Sequence, residues 1–212
     1  MNLKKSVHIA VINYGMGNLR SVCRALETTG AQVSIIDNPK DVDKFQGLVF
    51  PGQGAISKTM KHLRGNGFDD IIKSWIASDR PYFGVCIGMQ ALFDYSEEGK
   101  TSGLGIFPGV VKKFTINSRY KVPHMGWNTV KFTDSIDNQN LLKDIDRNPQ
   151  FYFVHSYYVE PEETSIIWGK TQYPFFFTSA IRKGNIIATQ FHPEKSQSQG
   201  LQLYRNFVDL CI

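Results

Sequence analysis

Pro81-Tyr82-Phe83-Gly84-Val85-Cys86-Ile87-Gly88-Met89-Gln90-Ala91-Leu92-Phe93 joins an apolar run to a helix-like segment. The pattern predicts a buried strand over Pro81 to Val85 and a helix over Met89 to Phe93. Between them, Gly84 to Gly88 has the form Gly-x-nucleophile-x-Gly. This form is typical of a nucleophile elbow, a strand-to-helix turn too tight for large flanking side chains. The helix that starts there directs N–H groups at the Cys86 sulfur and favours the thiolate. A buried structural cysteine is the alternative interpretation.

Around this stretch, the N-terminal half alternates apolar runs with helix-like segments. Val7 to Ile12 is apolar except for His8, as expected of a strand that is covered on both faces. Alternating strands and helices at this spacing predict a parallel sheet flanked by helices. The other predicted strands are Gln32 to Ile36 and Gly47 to Phe50, and the predicted helices are Asn18 to Thr29, Ile56 to Leu63 and Asp69 to Ala77.

After about residue 100, the pattern changes to short strands with few helices between them. This change predicts an antiparallel extension of the sheet, closed by a helix over Ser198 to Leu210. Asp134 to Asn148 is polar and predicts a surface loop. We therefore expect a single α/β domain over residues 1–212, with a mixed, mostly parallel sheet. The strands predicted here are Val110 to Ile116, Thr129 to Phe132, Gln150 to Val154, Ser165 to Gly169, Phe175 to Ile181 and Asn185 to Thr189.

The composition excludes several classes of protein. Of 212 residues, 42% are hydrophobic and 20% charged, which is typical of a globular domain and not of a disordered or fibrous chain. No stretch approaches the ~18 apolar residues of a membrane span, and the basic start lacks a signal-peptide cleavage site. We therefore expect a cytoplasmic protein that does not bind membranes.

Neither a metal nor a nucleic acid is expected as a ligand. The three cysteines are an odd number without disulfide or zinc spacing, and the five histidines have no metal-ligand spacing. The net charge of +5 is scattered, without a basic run. Gly15-Met16-Gly17-Asn18-Leu19-Arg20 begins like a dinucleotide-binding fingerprint, but Arg20 stands where the third glycine belongs, so no nucleotide cofactor is expected.

His192-Pro193-Glu194 supplies what a cysteine nucleophile needs. The motif follows a predicted strand, at the end where α/β sheets place their sites. A histidine there can take a thiol proton and later protonate a leaving amine, and a carboxylate can orient its ring. A loop histidine beside a solvated glutamate is the alternative.

These residues resemble a known family. Gly84-Val85-Cys86-Ile87-Gly88-Met89-Gln90 and Phe191-His192-Pro193-Glu194 are similar to the two signature motifs of class I, triad-type glutamine amidotransferases. The resemblance implies a flavodoxin-like fold without a cofactor. It also implies that the substrate is L-glutamine, whose side-chain amide is cleaved through a glutamyl thioester. By the same resemblance, Cys86 is the nucleophile, His192 the general base and then acid, and Glu194 the orienting carboxylate.

A tetrahedral intermediate also needs two N–H donors for its oxyanion. Ile87, directly after the nucleophile, supplies one. The loop Pro51-Gly52-Gln53-Gly54 can supply the other, because Gly52 and Gly54 allow its peptides to turn inward. The resemblance implies that this second donor is the N–H of Gln53. A plain β-turn is the alternative for this loop.

The resemblance further implies a glutamine site. Gln90 and Glu98 match positions that hold the polar groups of the substrate, with the carboxylate suited to an ammonium group. His155-Ser156-Tyr157 is similar to the backbone clamp for the substrate carboxylate, which adds Ser156 and Tyr157 to the site. A surface glutamine and a solvated Glu97-Glu98 pair are the alternatives.

Released ammonia needs an acceptor. Ammonia is mostly ammonium at neutral pH and is then not nucleophilic, and this chain has no phosphate loop or second domain to bind an acceptor. We therefore expect an obligate partner chain.

Two segments resemble the HisH-type glutaminase subunits of imidazole glycerol phosphate synthase, namely Asn13 to Ser21 and Pro123 to Asn128. The resemblance implies a heterodimer with a HisF-type (βα)₈ cyclase. Aromatic residues such as Tyr14 and Trp127 suit an interface hot spot, although core aromatics beside turns are the alternative. The predicted interface residues are Tyr14, Gly15, Asn18, Met125, Trp127 and Asn128.

Three other functions stay open at this point. The first is a paralogous glutaminase that feeds another synthase, for instance one that aminates a nucleotide sugar. The second is a cysteine peptidase or esterase-like hydrolase built on a similar elbow. The third is a flavodoxin-like binding module without catalysis.

Overall fold

The computed structural model describes residues 6–16, 18–115, 120–133 and 140–212. The basic start of the chain, Gly17, Ile116 and the first part of the predicted loop, residues 134–139, lie outside this range. The described residues include five α-helices, α1 (Leu19–Glu27), α2 (Ile56–Asn66), α3 (Phe68–Ala77), α4 (Ile87–Gln90) and α5 (Gln197–Leu210).

Most described strands join one large mixed sheet. In chain order the strands are β1 (His8–Ile12), β2 (Gln32–Ile36), β3 (Gly47–Gly52), β4 (Tyr82–Cys86), β5 (Phe93–Ser96), β6 (Thr101–Ser102), β7 (Phe107–Lys113), β8 (His124–Thr129), β9 (Lys131–Phe132), β10 (Gln150–His155), β11 (Tyr157–Pro161), β12 (Ile167–Gln172), β13 (Phe176–Lys183) and β14 (Ile186–Thr189).

The sheet has a parallel half and a mainly antiparallel half. Strands β2, β1, β3, β4 and β14 are parallel neighbours in that order. Beyond β14, the strands β13, β11 and β7 pair antiparallel, and β8 and β10 form a separate antiparallel pair. The predicted mixed α/β sheet with an antiparallel extension is confirmed.

The core lies between the parallel half and its helices. Strands β3, β4 and β14 are buried along their whole length, which matches their continuous apolar sequence. Helix α5 packs Tyr204 and Phe207 against Phe83 of β4, with ring centroids 5.3 and 5.2 Å apart. Large aromatic rings bury more apolar surface than other side chains and so contribute strongly to the stability of a core. The position of β4, and hence of Cys86 at its end, is therefore fixed by the core.

One predicted helix is wrong in extent. The segment predicted as a helix over Met89 to Phe93 is a single turn, α4, and Phe93 already begins β5. The carbonyl groups of Ala91 and Leu92 accept hydrogen bonds from Leu104 and Ile106, so they are not available to continue a helix. Strands β5, β6 and β11, and most of β8, were also not predicted. Strand β3 also runs two residues beyond its predicted end at Phe50, through Pro51 and Gly52.

Among the described residues, no helix is long and apolar enough to cross a membrane. Within the same ranges, no group of three or more His, Cys, Asp or Glu side chains could hold a metal ion.

Candidate active site

Cys86 lies on a strained turn where β4 meets α4. Its backbone has φ 53° and ψ −103°, a region that non-glycine residues rarely adopt. Space around the turn is minimal: a Cβ on Gly88 would overlap the Phe50 carbonyl oxygen, and a Cβ on Gly84 would press on the Gly88 carbonyl. The chain thus has the geometry of a nucleophile elbow, with the sulfur raised above the end of the sheet.

His192 stands beside this turn, because β14 is the parallel neighbour of β4. The residue follows the end of β14, and a short 3₁₀ turn, Pro193–Lys195, brings Glu194 back towards it. Nδ1 of His192 lies 2.8 Å from Oε1 of Glu194, and the side chains are only 1% and 2% exposed. The other carboxylate oxygen accepts a hydrogen bond from the Tyr204 hydroxyl at 3.5 Å. The ring is therefore held with Nε2 as its free nitrogen.

The charge state of His192 depends on its neighbours. Burial lowers the pKa of the imidazole, but the negative charges of Cys86 and Glu194 reverse this effect and raise the pKa to about 10. Nε2 is buried and makes no hydrogen bond within the described residues. A protonated imidazole between a carboxylate and a cysteine is the arrangement expected of a thiolate–imidazolium pair.

Cys86 and His192 open into one cavity of about 390 Å³. A cavity of this size suits a small metabolite. Its lining includes most of the predicted site residues together with four that were not predicted for the site. The predicted members are Gln53, Gly54, Cys86, Ile87, Gln90, Glu98, Ser156, Tyr157 and His192, and the others are Pro123, Val154, His155 and Lys195.

The loop after β3 lies next to the nucleophile, since Gly52 is the register partner of Cys86. Gly54 has φ 105°, which favours glycine, and a Cβ on Gly52 would meet the side chain of Ile87. The first N–H groups of a helix have no partner within it, and Ile87 is the first residue of α4, so its N–H needs a partner outside the helix. The loop and the helix start therefore flank the sulfur, as an oxyanion site requires.

The structure corrects the prediction for Tyr14. Its side chain is fully buried, so it is not available as a surface contact for a partner. Tyr14 packs edge-on against Phe50, with ring centroids 5.2 Å apart, beneath the loop after β3. Burial raises the pKa of its phenol to about 12, although the nearby Thr59 hydroxyl and Gln53 backbone act to lower this pKa. Sequence patterns cannot separate such a core aromatic from a surface one beside a glycine-rich turn.

Two polar side chains of the cavity are already oriented. Oε2 of Glu98 accepts a hydrogen bond from the N–H of Ile56, at the start of α2, at 2.9 Å. Nε2 of Gln90 donates to the carbonyl of Tyr157 and to Oε1 of Gln190, whereas Oε1 of Gln90 is buried without a partner. An unpartnered buried oxygen on a cavity wall is suited to accept a hydrogen bond from a ligand.

The remaining predicted interface residues differ in exposure. Met125 and Trp127 are exposed on β8, whereas Asn128 is half-buried and donates to Gln172. Gly15 is exposed with φ 87°, and Asn18 caps α1 by accepting from the N–H of Ser21.

An apolar surface patch surrounds these β8 side chains. Nine large apolar side chains are exposed among the described residues, and six belong to two short segments, 120–127 and 175–176. The segments are linked because Lys121 N–H and C=O both bond the Tyr173 hydroxyl, at 3.2 and 2.8 Å. Pro123, within the first segment, lines the active-site cavity, so the patch reaches the mouth of the cavity. The six side chains are Tyr120, Val122, Met125, Trp127, Phe175 and Phe176.

Sequence reasoning missed Gln190, and it named His155 and His124 only as members of the predicted clamp and of the predicted interface segment. Gln190 is fully buried, and its Nε2 lies 3.4 Å from the sulfur of Cys86. Nδ1 of His124 lies 3.0 Å from Nε2 of His155. A polar residue at the end of an otherwise apolar strand was the available signal for Gln190.

Comparison with known proteins places this site in a family. The family model for class-I glutamine amidotransferases matches residues 10–210. The chain is 47% identical to the imidazole glycerol phosphate synthase subunit HisH of Nitrosospira multiformis over 209 residues, which cover 94% of this chain and 96% of the relative. It is 45% identical to the HisH subunit of Gloeothece citriformis, over 95% of each chain.

Solved structures support the same fold at lower identity. The structure of PurLQS from Thermotoga maritima superposes with a TM-score of 0.76 at 14% identity, covering 97% of this chain and 99% of that one. A GMP synthase protein of Thermoplasma acidophilum gives a TM-score of 0.71 at 21% identity, covering 97% and 94%. These structures show the fold. The family model and the relatives that match over nearly their whole length show that the chain belongs to the class-I glutamine amidotransferase family and, within it, to the HisH subunits.

Proposed function

We propose that this chain is the glutaminase subunit of an imidazole glycerol phosphate synthase. It hydrolyses L-glutamine to glutamate and ammonia and delivers the ammonia to a HisF-type cyclase in histidine biosynthesis. One observation carries the catalytic part of the proposal. Cys86 and His192 follow neighbouring parallel strands and line one cavity, with Glu194 2.8 Å behind the imidazole.

The first half-reaction releases ammonia. The sulfur of Cys86 attacks the side-chain amide carbon of glutamine, and the carbonyl oxygen takes up the negative charge. N–H groups at the start of α4 and in the loop after β3 are the donors for this oxyanion. The proton on Nε2 of His192 passes to the amide nitrogen as the carbon–nitrogen bond breaks. Ammonia leaves, and a glutamyl thioester remains on Cys86.

The second half-reaction restores the enzyme. A water molecule attacks the thioester carbon while Nε2 of His192 accepts one of its protons. The carbon–sulfur bond then breaks, glutamate leaves, and the thiolate and the imidazolium are restored. Glu194 keeps the proton on Nδ1 throughout, so that only Nε2 exchanges protons with the substrate.

The cavity walls suit an amino acid in its zwitterionic form. Glu98 contributes the negative charge that attracts an ammonium group, and the unpartnered Oε1 of Gln90 accepts from a substrate N–H. Lys195 contributes a positive charge to the same cavity, whose lining also includes Ser156 and Tyr157. These groups together bind the α-amino and α-carboxylate ends of glutamine.

The apolar patch around β8 is the proposed binding site for the cyclase. Monomeric proteins rarely expose such a cluster without use, and Trp127 and Met125 are residue types enriched in interface cores. Because the patch borders the mouth of the cavity, a partner bound there would receive ammonia without its release into water. Gly15, Asn18 and Asn128 stay proposed as contacts at the edge of this interface.

The test compares glutamate formation by the purified chain alone, with a HisF-type cyclase, and with the cyclase and its phosphorylated ligand. We expect slow turnover alone and a rise of about 100-fold or more in the ternary mixture, through reorientation of the loop at residues 51–54. Equal rates in all three mixtures would reject the partner. A rise in turnover only with a different synthase would identify the paralogous glutaminase instead.

A further inference from the structure

A buried amide contacts the reacting sulfur, and the mechanism above does not use it. Gln190, directly after β14, is fully buried, and its Nε2 lies 3.4 Å from the sulfur of Cys86. Oε1 of the same side chain accepts a hydrogen bond from Nε2 of Gln90 at 3.0 Å. A buried glutamine needs partners for both ends of its amide, and here the sulfur is one of them.

The orientation of this amide follows from a fixed point in the backbone. The carbonyl oxygen of Tyr157 can only accept, and Gln90 approaches it at 3.3 Å, so Gln90 must present its nitrogen there. That same nitrogen faces Gln190, which must therefore present its oxygen to Gln90. Gln190 is left with only its nitrogen for the sulfur. The hydrogen-bond partners of Gln90 and Gln190 thus determine that a nitrogen, and not an oxygen, faces the sulfur of Cys86. The orientation of the amide is therefore not an arbitrary choice between two flipped forms.

The Tyr157 carbonyl is itself held by the two buried histidines. Nδ1 of His155 lies 2.7 Å from this oxygen and must carry a proton, which leaves Nε2 of His155 as an acceptor. Nδ1 of His124, 3.0 Å away, supplies the matching donor, and Nε2 of His124 accepts from Asn128 at 3.2 Å. Every ring nitrogen of the two histidines has a partner, and this series holds the carbonyl in place.

We propose that Gln190 is a further catalytic residue, which donates an amide N–H to the Cys86 sulfur and stabilises it as a thiolate, with Gln90 and His155 as positioning residues for that amide. The inference deepens the proposed function and rests on Cys86 as its nucleophile. A hydrogen bond to a charged acceptor is roughly twice as strong as one between neutral groups, so the contact favours the thiolate over the thiol. A flipped amide would place Oε1 against the sulfur and have the opposite effect.

The test measures the alkylation rate of Cys86 by iodoacetamide in the full chain, read by peptide mass spectrometry. Gln190→Met keeps the size of the side chain and removes the donor, so the pH at which alkylation is half-maximal should rise by about one pH unit, a tenfold weaker ionisation. Gln190→Glu should raise that pH further, because a carboxylate repels the thiolate. Above the pH at which the cysteine is fully ionised in every variant, the rates should converge, which a loss of structure would not produce.

Two controls accompany the measurement. Thr189→Val removes a neighbouring buried hydrogen bond, from Thr189 to the Phe191 carbonyl, without touching the sulfur, and should alkylate at the wild-type rate. Cys23 and Cys211 report on unfolding, because burial raises the pKa of their thiols to about 11 and about 12 and only an opened chain would label them readily.

A second variant covers the case in which Gln190→Met does not fold. Gln90→Met frees the Gln190 amide to rotate, so the pH at which alkylation is half-maximal should rise by about half a pH unit. Wild-type rates in the folded Gln190 and Gln90 variants across the pH range would overturn the proposal. The assay needs neither glutamine nor a cyclase, so its failure is distinct from a failure of the glutaminase assignment.

Discussion

Nδ1 of His192 and Oε1 of Glu194 lie 2.8 Å apart, with both side chains shielded almost completely from water. In such surroundings an ion pair is little screened, and loss of one charge leaves the other buried without compensation. The contact therefore fixes the ring and its proton as well as stabilising the imidazolium. The core also holds this pair in place, since the Tyr204 hydroxyl of α5 donates a hydrogen bond to the second carboxylate oxygen of Glu194.

Glu194→Gln should lower kcat for glutamine hydrolysis about 10⁴-fold, with a small change in KM. The amide cannot balance the imidazolium and allows the wrong tautomer, which has an effect of this order in related triads. Steady-state glutamate formation in the presence of a cyclase checks this. Glu163→Gln is the matched control, because Glu163 forms an exposed ion pair with Lys183 and should retain wild-type activity. A Glu194→Gln enzyme with normal kcat would contradict the role of Glu194.

The strained turn predicts an inverted order of stability at residue 86. Cys86→Gly and Cys86→Ala should both be inactive, but the glycine variant should be more stable by about 1 kcal/mol, because φ 53° with ψ −103° is strained for any residue with a Cβ. At ordinary helix or strand positions the order is the reverse. Urea unfolding of the two variants measures which of them is more stable. A more stable alanine variant would show that the turn is not strained.

Gly88→Ala should destabilise the chain by about 2–3 kcal/mol, because the new Cβ would overlap the Phe50 carbonyl oxygen. Gly65→Ala is the control within α2, where nothing lies within 4 Å of an added Cβ. That variant should gain about 0.5–1 kcal/mol, as alanine is the better helix former. Urea unfolding measures both changes. Equal effects of the two substitutions would contradict the tight approach at Gly88.

The buried histidines predict a loss of stability in mild acid. Burial lowers the pKa of His124 to about 4 and that of His155 to about 3. An unfolded histidine binds its proton near pH 6.5, so the unfolded state holds more protons below that pH. The stabilisation from the neutral pair is complete above pH 6.5 and is lost as the pH falls towards 4. Each ring contributes a slope of at most about 1.4 kcal/mol per pH unit.

His124→Gln should reduce this slope in urea unfolding between pH 6.5 and 4.5. NMR signals of the His124 and His155 rings should show almost no titration between pH 7 and 5.5 in the wild-type chain. Ring signals that titrate near pH 6.5 while the chain stays folded would disprove the neutral pair.

Trp127→Ala should weaken binding of the cyclase by about 2 kcal/mol, or roughly 30-fold in Kd, as expected for an exposed aromatic at the centre of an interface. Ile35→Ala is the control, because Ile35 is an exposed apolar residue on β2, at the edge of the large sheet, whereas β8 pairs with β10 outside that sheet. Calorimetry of the two variants with the cyclase measures the difference. The same affinity for both variants would place the interface elsewhere.

Local rules predicted the parallel half of the fold well. Apolar runs define β1, β3 and β4. The need for glycine at positions 84 and 88 could also be deduced from the sequence, because the predicted tight turn leaves no space for a side chain there. The helix after Cys86 was predicted too long, because the apolar run through Phe93 suits a helix and a buried strand equally. Hydrogen bonds from residues 104 and 106 settle the choice, and no local pattern reveals them.

In the candidate site, too, some residues could be predicted from the sequence and others could not. Cys86, His192 and Glu194 could be proposed from spacing and chemistry, and the structure brings them together at the ends of β4 and β14. The contact between Gln190 and the sulfur could not, because it depends on which atoms a distant carbonyl leaves available, and His155 was predicted only as part of the clamp. Tyr14 was misplaced for a related reason: its burial results from packing against Phe50 and not from its neighbours in the chain.

Strand β14 pairs parallel with β4 on one side and antiparallel with β13 on the other. Cys86 and His192 therefore owe their proximity to the spacing between two hydrogen-bonded strands, although the whole antiparallel half of the chain lies between them in sequence. Insertions or deletions in that intervening half can reshape the outer surface without shifting the two reacting side chains. A lineage could in this way acquire a new synthase to supply while its amide-cleaving machinery stays the same.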